Sequence, residues 1–186
     1  MSGVDGRSIA AINATSSTLV IVAFLYSAYE IKLDDYHEGR WRRRYRHGVY
    51  CRRKGLRTSE FMVQVMLLEF DGPARFSHFA TEDGVDEWGW HYRKGWPVGK
   101  RVTSPEIPVV ATTERQVEKL AWGVARYVFA NTPLSGRYVI QQDQIFFAGR
   151  QPEEGWMYPI PPTNADAADG AKPTFVPREE SHLWTA

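Results

Sequence analysis

The sequence predicts an α+β protein with an N-terminal transmembrane helix, a small mixed α/β domain and an extended C-terminal arm. Three observations lead to this prediction. Residues 8–29 contain no charged side chain, helix-like and strand-like patterns follow one another within residues 58–150, and proline is frequent after residue 151. We therefore expect four segments, which cover residues 1–31, 32–57, 58–150 and 151–186.

The uncharged segment, residues 8–29, is long enough to cross a bilayer as one helix. About twenty residues at about 1.5 Å each match a hydrocarbon core of about 30 Å. However, the strongly apolar part is limited to residues 19–25, and Asn13 and Thr15 make the first half polar. A buried core helix or strand is therefore an alternative. A cleaved signal peptide is a third, although no small-residue cleavage site follows the apolar run.

Basic residues are concentrated directly after this segment, in an Arg-rich juxtamembrane block at residues 32–57, although the net charge of the whole chain is only +1. Such a block beside a membrane span is typical of the cytoplasmic or matrix side. Guanidinium groups interleaved with aromatic rings suit anionic lipid headgroups, acidic protein surfaces or nucleic acid. We expect lipid or partner contacts from Arg40, Trp41, Arg42, Arg43, Arg44, Arg46, Arg52, Arg53 and Lys54.

The first half of the small domain is expected to contain a strand and a helix start. Residues 60–70 are apolar on both alternating faces and favour a buried strand. The alternative for this segment is a short helix capped by Thr58 or Ser59. Residues 81–88 favour the start of a helix, because Thr81 is a suitable cap and acidic residues follow in the first turn.

The clearest helix is predicted over residues 114–129. Apolar side chains recur there at helical spacing, and Thr113 with Gln116 forms a capping pattern. Pro133 is expected to follow the end of the helix. Residues 137–142 and 144–147 favour two strands that form a hairpin about Asp143.

From residue 151 onward, prolines and small residues exclude long regular elements and favour an extended arm. Disordered tails usually contain few aromatic residues, whereas this segment contains several. Aromatic side chains dominate the energetics of interfaces. We therefore expect the arm to bind a partner protein through Trp156, Tyr158, Phe175 and Trp184.

No motif in the sequence predicts a catalytic, cofactor-binding or metal-binding residue. Residues 95–100 resemble a phosphate-binding loop, but the spacing is one residue short and Arg101 replaces the required Ser or Thr. The single cysteine, Cys51, excludes an internal disulfide and a multi-cysteine metal site. The carboxylates within residues 82–87 are more typical of a solvated helix start than of an acid–base pair. The histidines, which show no metal-binding spacing, are His37, His47, His78, His91 and His182.

These features favour a non-catalytic, single-span accessory subunit of a large membrane protein complex, with no cofactor and no small-molecule substrate. A mitochondrial respiratory or ATP-synthase-type assembly in the inner membrane is the natural example, with the domain on the matrix side, or on the cytoplasmic side in a bacterium. Its partners would be other subunits and anionic headgroups. The alternative is a soluble structural subunit of a virion or nucleoprotein assembly, with the Arg-rich block facing nucleic acid or another subunit.

Overall fold

A computed structural model describes Tyr29 and residues 36–37, 40–41, 58–110, 121–160 and 171–178. The chain divides into two compact units, Met1–Arg52 and Arg53–Ala186. In the first unit Tyr29 is helical, and strand β1 (Tyr36–His37) pairs antiparallel with strand β2 (Arg40–Trp41). The second unit is a small mixed domain of helices and sheets, which confirms the predicted α+β class.

The predicted transmembrane segment, residues 8–29, lies outside the described residues except for Tyr29. Within the ranges that the structure describes, no helix combines the length and the apolar character needed to cross a membrane. The membrane span therefore stays a prediction, and so do its alternatives.

Helix α1 (Thr58–Asp71) occupies the segment for which the sequence favoured a strand, so that prediction is wrong and the helical alternative is confirmed. A helix that is buried on most of its circumference has no polar stripe, and its apolar pattern therefore does not differ from that of a buried strand. The helix ends at Gly72, whose N–H donates to the carbonyl of Leu68 over 2.9 Å. Its buried residues include Phe61, Val63, Val65, Met66, Glu69, Phe70 and Asp71.

Residues 75–100 form one long hairpin of short strands, which we call the folded hairpin. The outer pair, β3 and β6, is antiparallel, and so is the inner pair, β4 and β5. Between the two pairs, the N–H of Ala80 donates to the carbonyl of Trp96 over 2.8 Å, which continues the same register. The strands are β3 (Arg75–Phe79), β4 (Gly84–Val85), β5 (His91–Tyr92) and β6 (Pro97–Lys100).

The predicted helix start at residues 81–88 is wrong, because its carboxylates build turns instead. Oδ1 of Asp86 accepts the backbone N–H groups of Trp88 and Trp90 over 3.0 and 2.9 Å. Oδ1 of Asp83 accepts the N–H of Lys94, which lies in the turn between β5 and β6, over 2.8 Å. An aspartate that satisfies backbone donors in this way competes with helix formation.

A four-stranded sheet completes the domain, in the order β7 (Glu106–Val110), β10 (Trp156–Ile160), β9 (Ile145–Phe147) and β8 (Tyr138–Ile140). Strand β10 is parallel to β7 and antiparallel to β9, and β9 is antiparallel to β8. The strand pair β8–β9 is the hairpin that the sequence predicted about Asp143. Strand β10 corrects the prediction that residue 151 begins an extended arm. All of Trp156–Ile160 pairs with β7, and Trp156 and Met157 also pair with β9.

Helix α2 (Gly123–Asn131) confirms the second half of the predicted helix, whereas residues 111–120 lie outside the described ranges. Both helices and one face of the sheet share a single core around Phe70. The ring of Phe70 stacks on that of Phe147, with centroids 4.5 Å apart, and meets the edge of Phe129 at 5.9 Å. Burial of large aromatic side chains is the main stabilising contribution in such a core.

Candidate functional site: the folded hairpin

A buried carboxylate lies at the base of the folded hairpin. Asp71 is only 1% exposed, and its Oδ1 forms ion pairs with Nε of Arg101 at 2.6 Å and with Nη2 of Arg137 at 3.0 Å. Its Oδ2 accepts the hydroxyl hydrogen of Tyr138 over 2.8 Å. Burial raises the pKa of Tyr138 well above its usual range, and the hydrogen bond to Asp71 and the charge of that carboxylate raise it further. The phenol therefore stays protonated and keeps donating.

The tip of the hairpin is held against this base. The indole N–H of Trp88 donates to the backbone carbonyl of Asp71 over 2.6 Å. Arg101 extends the contact, because its Nη2 donates to Oε2 of Glu87 over 3.0 Å and its guanidinium carbon lies 5.7 Å from the centre of the Trp88 ring. We call these contacts the tip latch. They fold the hairpin back on itself and fix its outer surface.

The turn before β6 places Trp96 on that surface. The N–H of Trp96 donates to the carbonyl of Arg93 over 3.0 Å, and Gly95 in the same turn has φ +83°. A turn whose third residue has a positive φ favours glycine at that position, because glycine has no Cβ. The side chain of Trp96 is 51% exposed.

Large exposed hydrophobic side chains are concentrated on the folded hairpin. Four of the five in the described part of the chain belong to it, and Trp90 is 71% exposed. The fifth, Tyr127, lies on helix α2. The four on the hairpin are Phe79, Val85, Trp90 and Trp96. Exposed apolar side chains that are concentrated on one element mark binding sites more often than scattered ones do.

A hollow of about 510 Å³ opens on the hairpin between the inner strands and Trp96. Aromatic and charged side chains share its lining. The ring of Tyr92 lies directly over Gly84, where an added Cβ would be 2.5 Å from the tyrosine oxygen. The glycine therefore allows the ring to form a wall of the hollow. The other lining residues are Asp83, Val85, His91, Arg93 and Trp96.

Two of the aromatic residues that were expected in a partner-binding arm lie in strand β10 and contact one another. The ring centroids of Trp156 and Tyr158 are 4.3 Å apart. The hydroxyl of Tyr158 donates to Oε1 of Glu106 over 3.0 Å. Burial, the hydrogen bond and the charge of Glu106 together raise the pKa of Tyr158 to about 12. These rings thus contribute to the sheet of their own domain.

Residues 171–178, which we call the edge strap, run along the outer edge of β7. The N–H of Thr174 donates to the carbonyl of Glu106 over 2.9 Å, and the N–H of Glu106 donates to Oγ1 of Thr174 over 3.1 Å. Further along, the N–H of Val110 donates to the carbonyl of Pro177 over 3.2 Å. Phe175 packs against the hydrophobic core, and Trp184 lies outside the described residues.

The Arg-rich block is described only in part. Arg40 and Trp41 form strand β2, and the structure describes their backbone alone. The other block residues lie outside the described ranges: Arg42, Arg43, Arg44, Arg46, Arg52, Arg53 and Lys54. The contacts expected from this block therefore stay predictions.

The sequence motifs did not predict the hairpin as a site. Trp88, Trp90 and Trp96 lie beside Gly89 and Gly95, and this alternation of indole and glycine was the available signal for aromatic side chains on tight turns. Among the described residues, no group of three His, Cys, Asp or Glu side chains could hold a metal ion. No protein-family model, no curated protein and no solved structure matches this chain.

Proposed function

We propose that this chain is a non-catalytic subunit of a larger assembly and that the folded hairpin is its docking surface. The observation that carries this proposal is the concentration of four large exposed hydrophobic residues on one hairpin. Tryptophan is enriched among the few residues that dominate binding energy at interfaces. Trp90 and Trp96 are therefore the anchors that we assign to the docking surface.

The tip latch supports the proposal because it makes the surface rigid before a partner arrives. A loop that is ordered in its bound conformation loses less entropy on association than a mobile loop. Trp88, Glu87 and Arg101 hold the tip, whereas Trp90 projects beyond these contacts. The hairpin thus separates residues that fix its shape from residues that can meet a partner.

The buried charges of the domain fit a structural role in this proposal. Both carboxylate oxygens of Asp71 are occupied by Arg101, Arg137 and Tyr138. Glu69, which is fully buried, pairs with Arg75 at 2.7 Å. Groups committed in this way stabilise the geometry of the hairpin base, and we assign them no chemical step.

Purification of the tagged full-length chain from its native source under mild conditions tests the docking surface. We expect the wild type to sediment in a large particle and a Trp90→Ser/Trp96→Ser variant to be released from it. Tyr127→Ser is the matched control, because Tyr127 is 70% exposed but lies on helix α2. Equal retention of the hairpin variant and the control would contradict the docking surface, and a wild type that sediments as a monomer would contradict the assembly.

The membrane anchor is a separate part of the proposal and rests on the sequence of residues 8–29. Alkaline carbonate extraction of native membranes is its test, and the anchored form predicts that the chain stays in the pellet. Val22→Arg should then release it, because a charge at the centre of a bilayer costs about 2.5–3.5 kcal/mol on insertion scales. Release of the wild type would favour the soluble structural subunit.

A further inference from the structure

Three of the four acidic side chains of the folded hairpin are committed to contacts within their own domain. Asp83 and Asp86 accept backbone N–H groups, and Glu87 pairs with Arg101. Among the described residues, Glu82 is the hairpin carboxylate that has neither kind of partner. Oxygens of Asp83, Asp86 and Glu87 are thus occupied by donors of the same domain.

Two basic side chains on the same surface have no ion-pair partner among the described residues. Within the described residues, the guanidinium of Arg93 and the ammonium of Lys94 form no ion pair, and both residues are exposed. His91 is exposed beside them in the chain. Within the described residues, Arg93 and Lys94 are therefore two adjacent cations that are available to an anion.

The aromatic rings on this surface indicate which class of anion it could bind. Trp96 and Tyr92 line the hollow together with Arg93, and Trp90 lies nearby in the chain with 71% exposure. Flat rings beside guanidinium groups suit single-stranded nucleic acid, because bases stack on the rings and phosphates pair with the cations. A duplex does not offer its base faces for stacking.

The shape of the surface favours a nucleotide over a lipid bilayer. A bilayer is entered by an apolar protrusion with its cations at the rim, whereas Arg93 lines the same concave hollow as Tyr92 and Trp96. A hollow of about 510 Å³ has room for one unstacked base with its sugar and phosphate. An extended single strand can supply such a base without the cost of opening a duplex.

We propose that the folded hairpin binds single-stranded nucleic acid, with a base stacked on Trp96 in the hollow and the adjacent phosphates on Arg93 and Lys94. This inference rests on the proposed function, because it names the partner of the same docking surface. It also gives the chain a second basic and aromatic element besides the Arg-rich block.

Fluorescence anisotropy of the full-length chain with a labelled oligothymidylate of about 12 nucleotides tests the inference. We expect Trp96→Leu to weaken binding by about 5- to 150-fold, the range for loss of one base–aromatic stack. The slope of log affinity against log salt should stay unchanged in this variant, because no charge is lost. Arg93→Gln should reduce that slope by about 0.7, the value for one phosphate contact on a single strand.

Tyr127→Leu is the control for loss of an exposed ring, and its affinity should equal that of the wild type. A variant with Arg42, Arg43 and Arg44 changed to Gln separates the hairpin from the Arg-rich block. This variant could lose all binding while Trp96→Leu and Arg93→Gln keep the wild-type affinity. The Arg-rich block alone would then bind the oligonucleotide, and the inference would be wrong. Circular dichroism shows whether each variant is folded. If Trp96→Leu does not fold, Arg93→Gln supplies the test instead.

Vesicles of phosphatidylserine and phosphatidylcholine are the second probe. Hairpin-dependent binding to these vesicles without binding to the oligothymidylate would overturn the inference and assign the surface to anionic lipid. Binding to neither probe would also overturn it. The sedimentation test of the proposed function is independent of both results, since it reports retention in the native assembly whatever the chemistry of the partner.

Discussion

The indole N–H of Trp88, at the tip of the folded hairpin, donates to the backbone carbonyl of Asp71 at the base of the same hairpin over 2.6 Å. This bond links two positions 17 residues apart and closes the tip latch. It uses a carbonyl at the C-terminal end of helix α1, where the last carbonyls have no partner within the helix. The orientation of the docking surface thus depends on the end of a buried helix.

Trp88→Phe should lower the free energy of unfolding by about 1 kcal/mol, the net contribution of one hydrogen bond. Phenylalanine keeps an aromatic ring at this position but has no N–H to donate. Trp90→Phe is the matched control, because Trp90 is 71% exposed and its replacement should change stability by less than about 0.5 kcal/mol. Urea unfolding measures both, and equal stability of the two variants would show that the bond does not hold the tip.

Asp71→Asn should be the most destabilising polar substitution at the hairpin base. It removes the negative charge between Arg101 and Arg137 and leaves two guanidinium groups around a neutral side chain. Loss of one partner of a buried ion pair costs about 3–5 kcal/mol, and we expect the lower end because both arginines keep some contact with water. Asp143→Asn, in the exposed turn between β8 and β9, is the control. A cost below about 1 kcal/mol for Asp71→Asn would contradict a stabilising role of the pairs.

The stability of the domain should fall as the pH rises above about 10. The pKa of Tyr158 is raised from 10.0 to about 12 in the folded chain, so the unfolded chain releases this proton first. The contribution is fully present below pH 10 and is lost as the pH rises toward 12. The pKa of Tyr138 is also raised in the folded chain, so its ionisation should lower stability at high pH in the same way.

Urea unfolding of the wild type and of Tyr158→Phe at about pH 9 and about pH 11 measures this dependence. The wild type should lose more stability between the two pH values than the variant, because phenylalanine has no proton to release. An identical loss in both proteins would mean that burial and the contacts with Glu106 do not raise the pKa of Tyr158 in the folded chain.

Gly99→Ala should destabilise the outer pair of hairpin strands. A Cβ at this position would lie 2.5 Å from Cβ of Pro73 and 2.6 Å from its carbonyl oxygen, so the backbone has to move. Overpacking of this kind costs about 1–3 kcal/mol. Gly136→Ala is the control, because a Cβ there would meet no atom within 4 Å. Thermal unfolding should separate the two variants, and equal midpoints would argue against a close approach of β6 to Pro73.

Thr174→Val should loosen the edge strap from β7. The hydroxyl of Thr174 accepts the N–H of Glu106 and also donates to the carbonyl of Glu106 over 3.2 Å. Loss of these bonds should cost about 1 kcal/mol and open a strand edge that can pair with another chain. Lys172→Ala is the control, since the bond from Lys172 to Glu106 comes from its backbone N–H.

Analytical ultracentrifugation over a range of concentrations measures the association that an open edge should cause. We expect Thr174→Val to associate at concentrations where Lys172→Ala and the wild type do not. If Thr174→Val stays as monomeric as the control, the strap is not what protects the edge of β7.

The elements that could be predicted from the sequence are those whose signals are local. The helix ending at Asn131 shows regular apolar spacing, and the strands on either side of Asp143 are bounded by turn residues. The sequence of helix α1 could not be distinguished from that of a buried strand, because the helix is buried on most of its circumference and has no polar face. At residues 81–88 the acidic pattern of a helix start was the same pattern that Asp83 and Asp86 use to build turns.

The hairpin base could not be predicted because its contacts join distant parts of the chain. Arg101 and Arg137 are 30 and 66 residues from Asp71, and neither spacing follows a local periodicity. Strand β10 was missed because Pro159 discourages a strand assignment. In the structure, the paired register of β9 ends at Met157, and Pro159 therefore lies beyond it.

The place of β10 between β7 and β9 has a consequence for the biosynthesis of the domain. Both neighbouring strands are translated before β10, because they precede it in the chain. At about 5–20 residues per second, the nascent chain carries two unjoined parts of the sheet for seconds. During this interval Ile107 and Ile145 lack Met157, the side chain that lies between them in the finished sheet. The sheet therefore closes only after its central strand is translated.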